Sequence, residues 1–417
     1  MRVIQIQLKI SFQRKWREIL LVLSLIMISA TQLRFSGYPI GVGEIGLVIW
    51  IGLTFLAVIH KNTVFSQQTT AYSIFWVVSL VSLIVGTLIA YENGVLEAPH
   101  KLRREFLALS FVIGFTLLLT INLSADRLSS LRMLRLSVIL SSLFALILLT
   151  FAFSGVSIGG AEWWMGKRMK GLSENPNQLA LIFSPMPFFA MFLYSYSSKH
   201  RMMAIVSLVA LLIAGLATRS DALVIGWVSG VGAIIIAIIM QYIKTHLRIP
   251  VSAVMVMLVL VMVIVLLSAV LMSQDIIMEV YGAGSEQHLQ AYRRFDLWVH
   301  GVLAGLDSPL FGLGPGNHSG FVAPHTGSEA HNSFIDWFTI SGIIGLVAFV
   351  SIIVLSLKII VKHNLFLFGA LVSIVIFSSF HYMLRHPFFW FTLIVAHQAA
   401  SLIYSRCVRY GKCVPAL

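Results

Sequence analysis

The sequence predicts an all-α protein threaded many times through a membrane, and three observations predict it. Of its 417 residues, 58% are hydrophobic and only 11% charged, against roughly 25% charged in soluble domains; the mean hydropathy is +0.92. Apolar runs recur at the length of about 20 residues that a helix needs to cross a hydrocarbon core of about 30 Å. The cations between those runs are also unevenly shared between the two sides.

In chain order the runs fall at approximately 17–35, 38–60, 70–91, 104–123, 131–154, 178–196, 202–218, 222–243, 251–273, 332–357, 364–383 and 387–405. This predicts about 12 membrane helices in one integral membrane domain, residues 1–417, with no soluble appendage. Setting both termini on the cytoplasmic side puts 18 of the 29 Lys and Arg residues there, as the positive-inside rule requires. The first run follows a basic segment without a convincing cleavage site, so it reads as a retained anchor. Cys407 and Cys413 lie in the tail expected to be cytoplasmic, where thiols stay reduced. The net charge of +13 is explained by this topology. No basic-aromatic nucleic-acid module accompanies it, so no nucleic acid is expected as a partner.

Two segments on the translocated side are long enough to fold over the membrane, residues 155–177 and 274–331. In the second, Leu289, Tyr292, Phe295, Val299, Val302, Leu303 and Leu306 share one face at 100° per residue. This predicts an in-plane helix from about Gln287 to Leu306 with that face in the bilayer. Asp307-Ser308-Pro309 stops it, and Gly312, Gly314, Pro315 and Gly316 form a turn-rich passage towards Glu329-Ala330-His331-Asn332. There a histidine and an asparagine stand where the next membrane helix leaves its aqueous face. Asp336 lies one turn inside it, and Gly342 and Gly345 lie deeper. Asn332 reads as an N-cap, and a carboxylate inside a membrane helix, such as Asp336, is commonly functional.

The cations on the translocated side run against the insertion rule and are candidates for an anionic ligand. Arg219 is pinned in the short turn Thr218-Arg219-Ser220; Arg168, Arg293 and Arg294 come from the two long segments. Guanidinium groups grip phosphate with a planar fork. A cluster of them can hold a pyrophosphate and stabilise charge developing on it, while an imidazole takes a proton from an attacking hydroxyl. His288, His300, His318 and His325 also lie in the long loop. Without HxxxH or HExxH spacing, neither a metal nor any other cofactor is expected.

Four segments in this order resemble the O-antigen ligase and polymerase superfamily of bacterial surface-polysaccharide enzymes. They are Gly171…Asn175-Pro176-Asn177, Thr218-Arg219-Ser220, Arg294-x-x-x-Trp298…Pro309…Gly312-Leu-Gly314, and His331-Asn332 followed by Gly342 and Gly345. The resemblance covers roughly residues 165–355. It implies metal-independent glycosyl transfer at the periplasmic face of the bacterial inner membrane. The donor would be a glycan on undecaprenyl pyrophosphate, and the acceptor a sugar hydroxyl on a lipid-linked repeat unit or on lipid A-core. On this carry-over His331 is the base and Arg219 and Arg294 hold the pyrophosphate; Arg293 and Arg168 join them by position, with Asn332, Asn175, Asn177 and Asp336 in support. Many relatives carry an acidic residue shortly before the first glycine, where this chain has Thr339, Ile340 and Ser341. A polymerase of O-antigen or exopolysaccharide repeats is the first expectation, an O-antigen ligase the second. A transporter or flippase is the third, disfavoured because the runs hold few ionisable residues of the kind that mark a transport path, Glu44 being the main exception.

Overall fold

The computed structural model describes residues 2–35, 40–59, 65–94, 99–156, 160–247, 286–318 and 328–410; at 2–13, 99–100, 286–293 and 406–410 only the backbone is described. It is an all-α multi-pass membrane protein, with nine helices among the described residues long and apolar enough to cross a bilayer. The helices are α1 (Arg2–Met27), α2 (Val42–Ile59), α3 (Gln67–Glu92), α4 (Pro99–Ala125), α5 (Leu128–Ser154), α6 (Pro176–Phe183) and α7 (Met186–Tyr196). They continue with α8 (Arg201–Ala217), α9 (Asp221–Tyr242), α10 (Glu286–Leu306), α11 (Ser333–Ile360), α12 (Leu365–Ser378) and α13 (Pro387–Tyr410). A two-residue hairpin, β1 (Trp164–Met165) with β2 (Arg168–Met169), lies between α5 and α6.

Three of the expected runs differ in detail. The run at 17–35 ends as helix at Met27, and a 3-10 turn follows at Thr31–Leu33. The run at 364–383 is helical only over Leu365–Ser378, leaving a connection before α13 begins at Pro387. The run at 178–196 is two helices, α6 and α7, broken at Ser184-Pro185. Proline removes a helix hydrogen bond, and the freed carbonyls find other donors: Trp227 Nε1–H reaches Phe183 O at 3.2 Å and Ser184 O at 3.1 Å. The expected helix at 251–273 lies outside the described residues.

Inside the bundle there is little hydrophobic drive between helices, so close packing rests on small residues. On α9, Gly226 lies against the Ser373 backbone of α12, and Gly230 against that of Gly369. The charges gather at two ends. At one, Arg132 binds Glu18 and Asp126, each at 2.6 Å, and Arg14 binds Asp126 at 2.7 Å. At the other, Arg34 binds Glu44 at 2.7 Å, and Glu44 also accepts from Gly41 N at 3.0 Å. Glu44 is thus a paired group at a helix start.

Helix α11 is broken at Gly342, whose φ of 63° and ψ of −169° lie outside any helix. Each half therefore ends with unpaired backbone groups inside an apolar bundle, a state that costs several kcal/mol per group. The passage 309–314 supplies the partners. Leu313 N donates to Thr339 O at 2.9 Å and Gly314 N to Ile340 O at 3.0 Å. Below the break, Ile343 N donates to Pro309 O at 2.8 Å and Ile344 N to Leu310 O at 3.3 Å. The loop is a splint, and its glycines follow from that: Gly312 and Gly314 have positive φ, Cβ atoms there would strike Ile340 and Thr87 backbone, and Gly86 of α3 admits the passage from the other side.

Helix α10 runs from Glu286 to Leu306 and lies against α11. Thr339 Oγ1 donates to Gly301 O at 2.7 Å, and Gly301 and Gly305 leave room for Ile335 and Phe338. Phe295, Val299, Val302, Leu303 and Leu306 are exposed on its outer face.

At Gly342 a Cβ would collide with the Leu310 carbonyl, on a backbone that L-residues avoid. Gly342→Ala is expected to destabilise the protein by at least about 3 kcal/mol. Gly52→Ala, in open space on α2, should be neutral or stabilising by up to about 1 kcal/mol. Thermal unfolding of the two variants in detergent checks this contrast.

Candidate transfer site at one end of the bundle

Asn332 caps α11, its Oδ1 accepting from Phe334 N at 3.0 Å. Just before it, His331 takes a φ of 54°, a conformation that costs a non-glycine residue energy and persists where surroundings enforce it. Asp336 does the enforcing. Its Oδ1 accepts from Ala330 N at 2.8 Å and its Oδ2 from Asn332 N at 3.0 Å, so one fully buried carboxylate holds the amides on both sides of His331. The side-chain partner of Asp336 is His318, whose Nδ1 donates at 3.0 Å. The His331 side chain stays 53% exposed, with Nδ1 4.0 Å from Glu329.

Glu329 is held in turn. Arg385, in the connection between α12 and α13, binds Glu329 at 2.6 Å with one nitrogen and the buried Glu105 of α4 at 2.6 Å with the other. Its guanidinium also lies 5.1 Å from the Tyr382 ring. Burial alone would raise the Glu329 pKa; Arg385, His318 and His331 outweigh it and keep the carboxyl below its ordinary range. Burial likewise pulls His318 down, but Asp336, with Glu329 and Glu105 beyond it, leaves that imidazole raised.

A second group of residues faces this turn. Arg168 of β2 donates through Nη2 to Asn177 Oδ1 at 2.9 Å and through Nε to Thr218 O at 3.2 Å. Ser220 Oγ donates to the same Asn177 oxygen at 2.9 Å. Asn175 caps α6, accepting from Asn177 N at 2.9 Å, with Pro176 at the first helical position. The Asn-Pro-Asn run and the Thr-Arg-Ser turn are therefore one assembly. Arg219, also left-handed with φ 47°, projects from it exposed. Burial lowers the Arg168 pKa, and the charge of Arg294 lowers it further while Asp221 opposes. Arg294 is exposed on α10; the side chain of Arg293 lies outside the described residues.

The two groups meet at His381. This imidazole is held unprotonated, its pKa pushed down to about 3 by burial and then by the charges of Arg294, His331 and Arg168. Its backbone is tied to the His331 turn through Ser333 Oγ, which donates to His381 O at 2.7 Å and accepts from Met383 N at 2.8 Å. Four of the residues expected at the site, Arg168, Arg294, His331 and Asn177, are thus joined by contact or by mutual electrostatic influence. His318, Glu329, His381, Arg385 and Glu105 were not among those expected. Arg385 is a cation that the expected topology puts on the translocated side, which is the signal the sequence offers. Nothing in the sequence pairs it with Glu105, 280 positions away. Among the described residues no group of three or more His, Cys, Asp or Glu side chains is placed to hold a metal.

A histidine whose pKa is raised on folding contributes stability that is fully present below the unfolded value and is lost as pH rises through the folded one. His318 meets that condition, from the ordinary 6.5 upward. His318→Gln is therefore expected to lower the thermal midpoint most below about pH 6, the gap to wild type closing as pH rises through the raised imidazole range. A pH-independent gap would reduce His318 to a packing role.

Comparison with known proteins bears on the same segments. No curated protein sequence matches the chain. A protein-family model described as O-Antigen ligase matches residues 204–350, a stretch containing Arg219, Arg294, the 309–314 passage, His331 and the break at Gly342. Over residues 204–350 the chain is similar to the O-antigen ligase and polymerase superfamily.

Proposed function

We propose that this end of the bundle transfers a glycan from a lipid pyrophosphate to a sugar hydroxyl, and that it faces the periplasm in a bacterial inner membrane with both termini cytoplasmic. The observation that carries the reading is the convergence on one surface of an exposed imidazole, fixed by Asp336, and guanidinium groups from three separate segments. The donor is a glycan on undecaprenyl pyrophosphate. Arg168, Arg219 and Arg294 hold its phosphates and stabilise the charge that grows there as the sugar leaves. His331 accepts the proton of the acceptor hydroxyl; that oxygen bonds to the anomeric carbon as the bond to pyrophosphate breaks, inverting the carbon. The lipid pyrophosphate departs as an anion on the arginines, and His331 returns its proton to water. These steps run through side chains of this chain, without a metal or other cofactor.

The acceptor decides which enzyme this is. A polymerase takes a lipid-linked repeat unit, and we assign the chain to polymerisation of O-antigen or exopolysaccharide repeats. The second reading is a ligase, with lipid A-core as acceptor; the spacing of His331-Asn332 from Gly342 and Gly345 fits the ligase pattern, and the matching family holds both activities.

A deletion strain complemented with wild type or His331→Ala separates these by its surface glycans. Core carrying one repeat unit without a ladder means polymerase, and bare core with long lipid-linked chains means ligase. Loss of secreted polymer with lipopolysaccharide intact means an exopolysaccharide polymerase. His331→Ala should insert normally and transfer at least about 100-fold more slowly; full rescue by this variant would remove His331 as the base.

A further inference from the structure

Two nitrogen atoms near the cationic cluster are buried without a hydrogen-bond partner: Nε2 of His381 and Nε1 of Trp298. A buried polar atom left unpaired costs about 1–3 kcal/mol, so two of them beside a functional cluster point to a ligand. Trp298 is one turn along α10 from Arg294, on the same helix face, and its ring lies 6.2 Å from that of Phe380, the neighbour of His381. The His381 ring is set against Phe377 at 4.8 Å, and its backbone is fixed by Ser333. Both side chains are thus positioned by packing, with their polar atoms unengaged.

We propose that His381 and Trp298 are substrate-binding residues of the transfer site, each donating an N–H to a pyrophosphate oxygen of the donor. This rests on the reading of the site given above and adds two neutral donors to its arginines. Neutrality is useful here. A fourth and fifth full charge would hold the departing pyrophosphate more tightly, whereas an indole N–H can only donate and a neutral imidazole donates from Nε2 when its proton is there. Burial keeps His381 unprotonated, and the cations that add to that effect would also draw an anion to it. An acceptor hydroxyl would need no such ring of cations, which is why the phosphate is assigned to this place.

The test is calorimetric titration of inorganic pyrophosphate into the full chain in zwitterionic nanodiscs, comparing wild type with His381→Gln, His381→Asn, His381→Phe, Trp298→Phe and Arg294→Ala. Glutamine carries an amide N–H near the position of Nε2, asparagine near that of Nδ1. The expected result is binding within about threefold of wild type for His381→Gln, and weakening of about tenfold for His381→Asn, His381→Phe and Trp298→Phe, the scale of one hydrogen bond to a charged group. If His381→Phe does not fold, the glutamine–asparagine pair and Trp298→Phe still decide. Wild-type affinity in His381→Asn and Trp298→Phe, with binding lost in Arg294→Ala, would overturn this proposal and leave the transfer site standing. No binding by wild type, or none lost in Arg294→Ala, would overturn both. Inorganic phosphate bound as tightly as pyrophosphate would assign these donors to a monophosphate such as a lipid headgroup, and so against the proposal.

Discussion

The break in α11 and its splint are the constraint on which the rest of the structure depends. A helix interrupted within a bilayer leaves carbonyls and amides that lipid cannot satisfy. Here the 309–314 backbone satisfies both sides of the gap, with four hydrogen bonds between 2.8 and 3.3 Å. This fixes where the long loop re-enters the bundle. It also fixes where α10 ends, because Ser308 O accepts from Gly312 N at 2.7 Å immediately after that helix. The first half of α11 is then a short rigid post with Asn332 at its tip, and α10 is bound along its side through Gly301 and Thr339.

The chemistry is placed by the same arrangement. Asp336 stands on that post and turns its carboxylate back onto the amides of residues 330 and 332, so the conformation of His331 is set from inside the helix. Arg385 joins Glu105 to Glu329, tying the α12–α13 connection to α4 and to the approach of the loop. Arg294 arrives on α10, and Arg168 arrives on a hairpin tied to the Asn-Pro-Asn and Thr-Arg-Ser turns. Anionic groups cluster behind the His331 turn, whereas Arg168 and Arg294 stand before it with His381. That separation is the one the proposed transfer asks for, a base beside guanidinium groups that would hold an anion.

The fold was legible where the signal was local. Apolar length located the membrane helices, and a 100° periodicity located α10 almost to the residue. The limits came from non-local effects: α1 stops at Met27 although apolar residues continue, and α12 is shorter than its run. The glycines at 312, 314 and 342 were visible as a motif, but their purpose was not, because it requires the loop and the helix to be side by side. The same holds for the site. Arg168, Arg294 and His331 stood out by type and side of the membrane. His381 did not, since it falls at the end of an apolar run and its neighbours come from α10, α11 and the hairpin. Asp336 was recognised as unusual, but its partners are two backbone amides and a histidine 18 positions away, which no residue pattern encodes.

The most direct test of the central claim is an experimental structure with a non-transferable donor, an undecaprenyl pyrophosphate glycan bearing a carbon in place of the glycosidic oxygen. Pyrophosphate density within hydrogen-bond reach of Arg168 and Arg294, with His331 on the opposite face of the anomeric carbon, is the predicted result. Donor bound at the other end of the bundle, beside Arg132 and Arg14, or with the sugar turned away from His331, would contradict it.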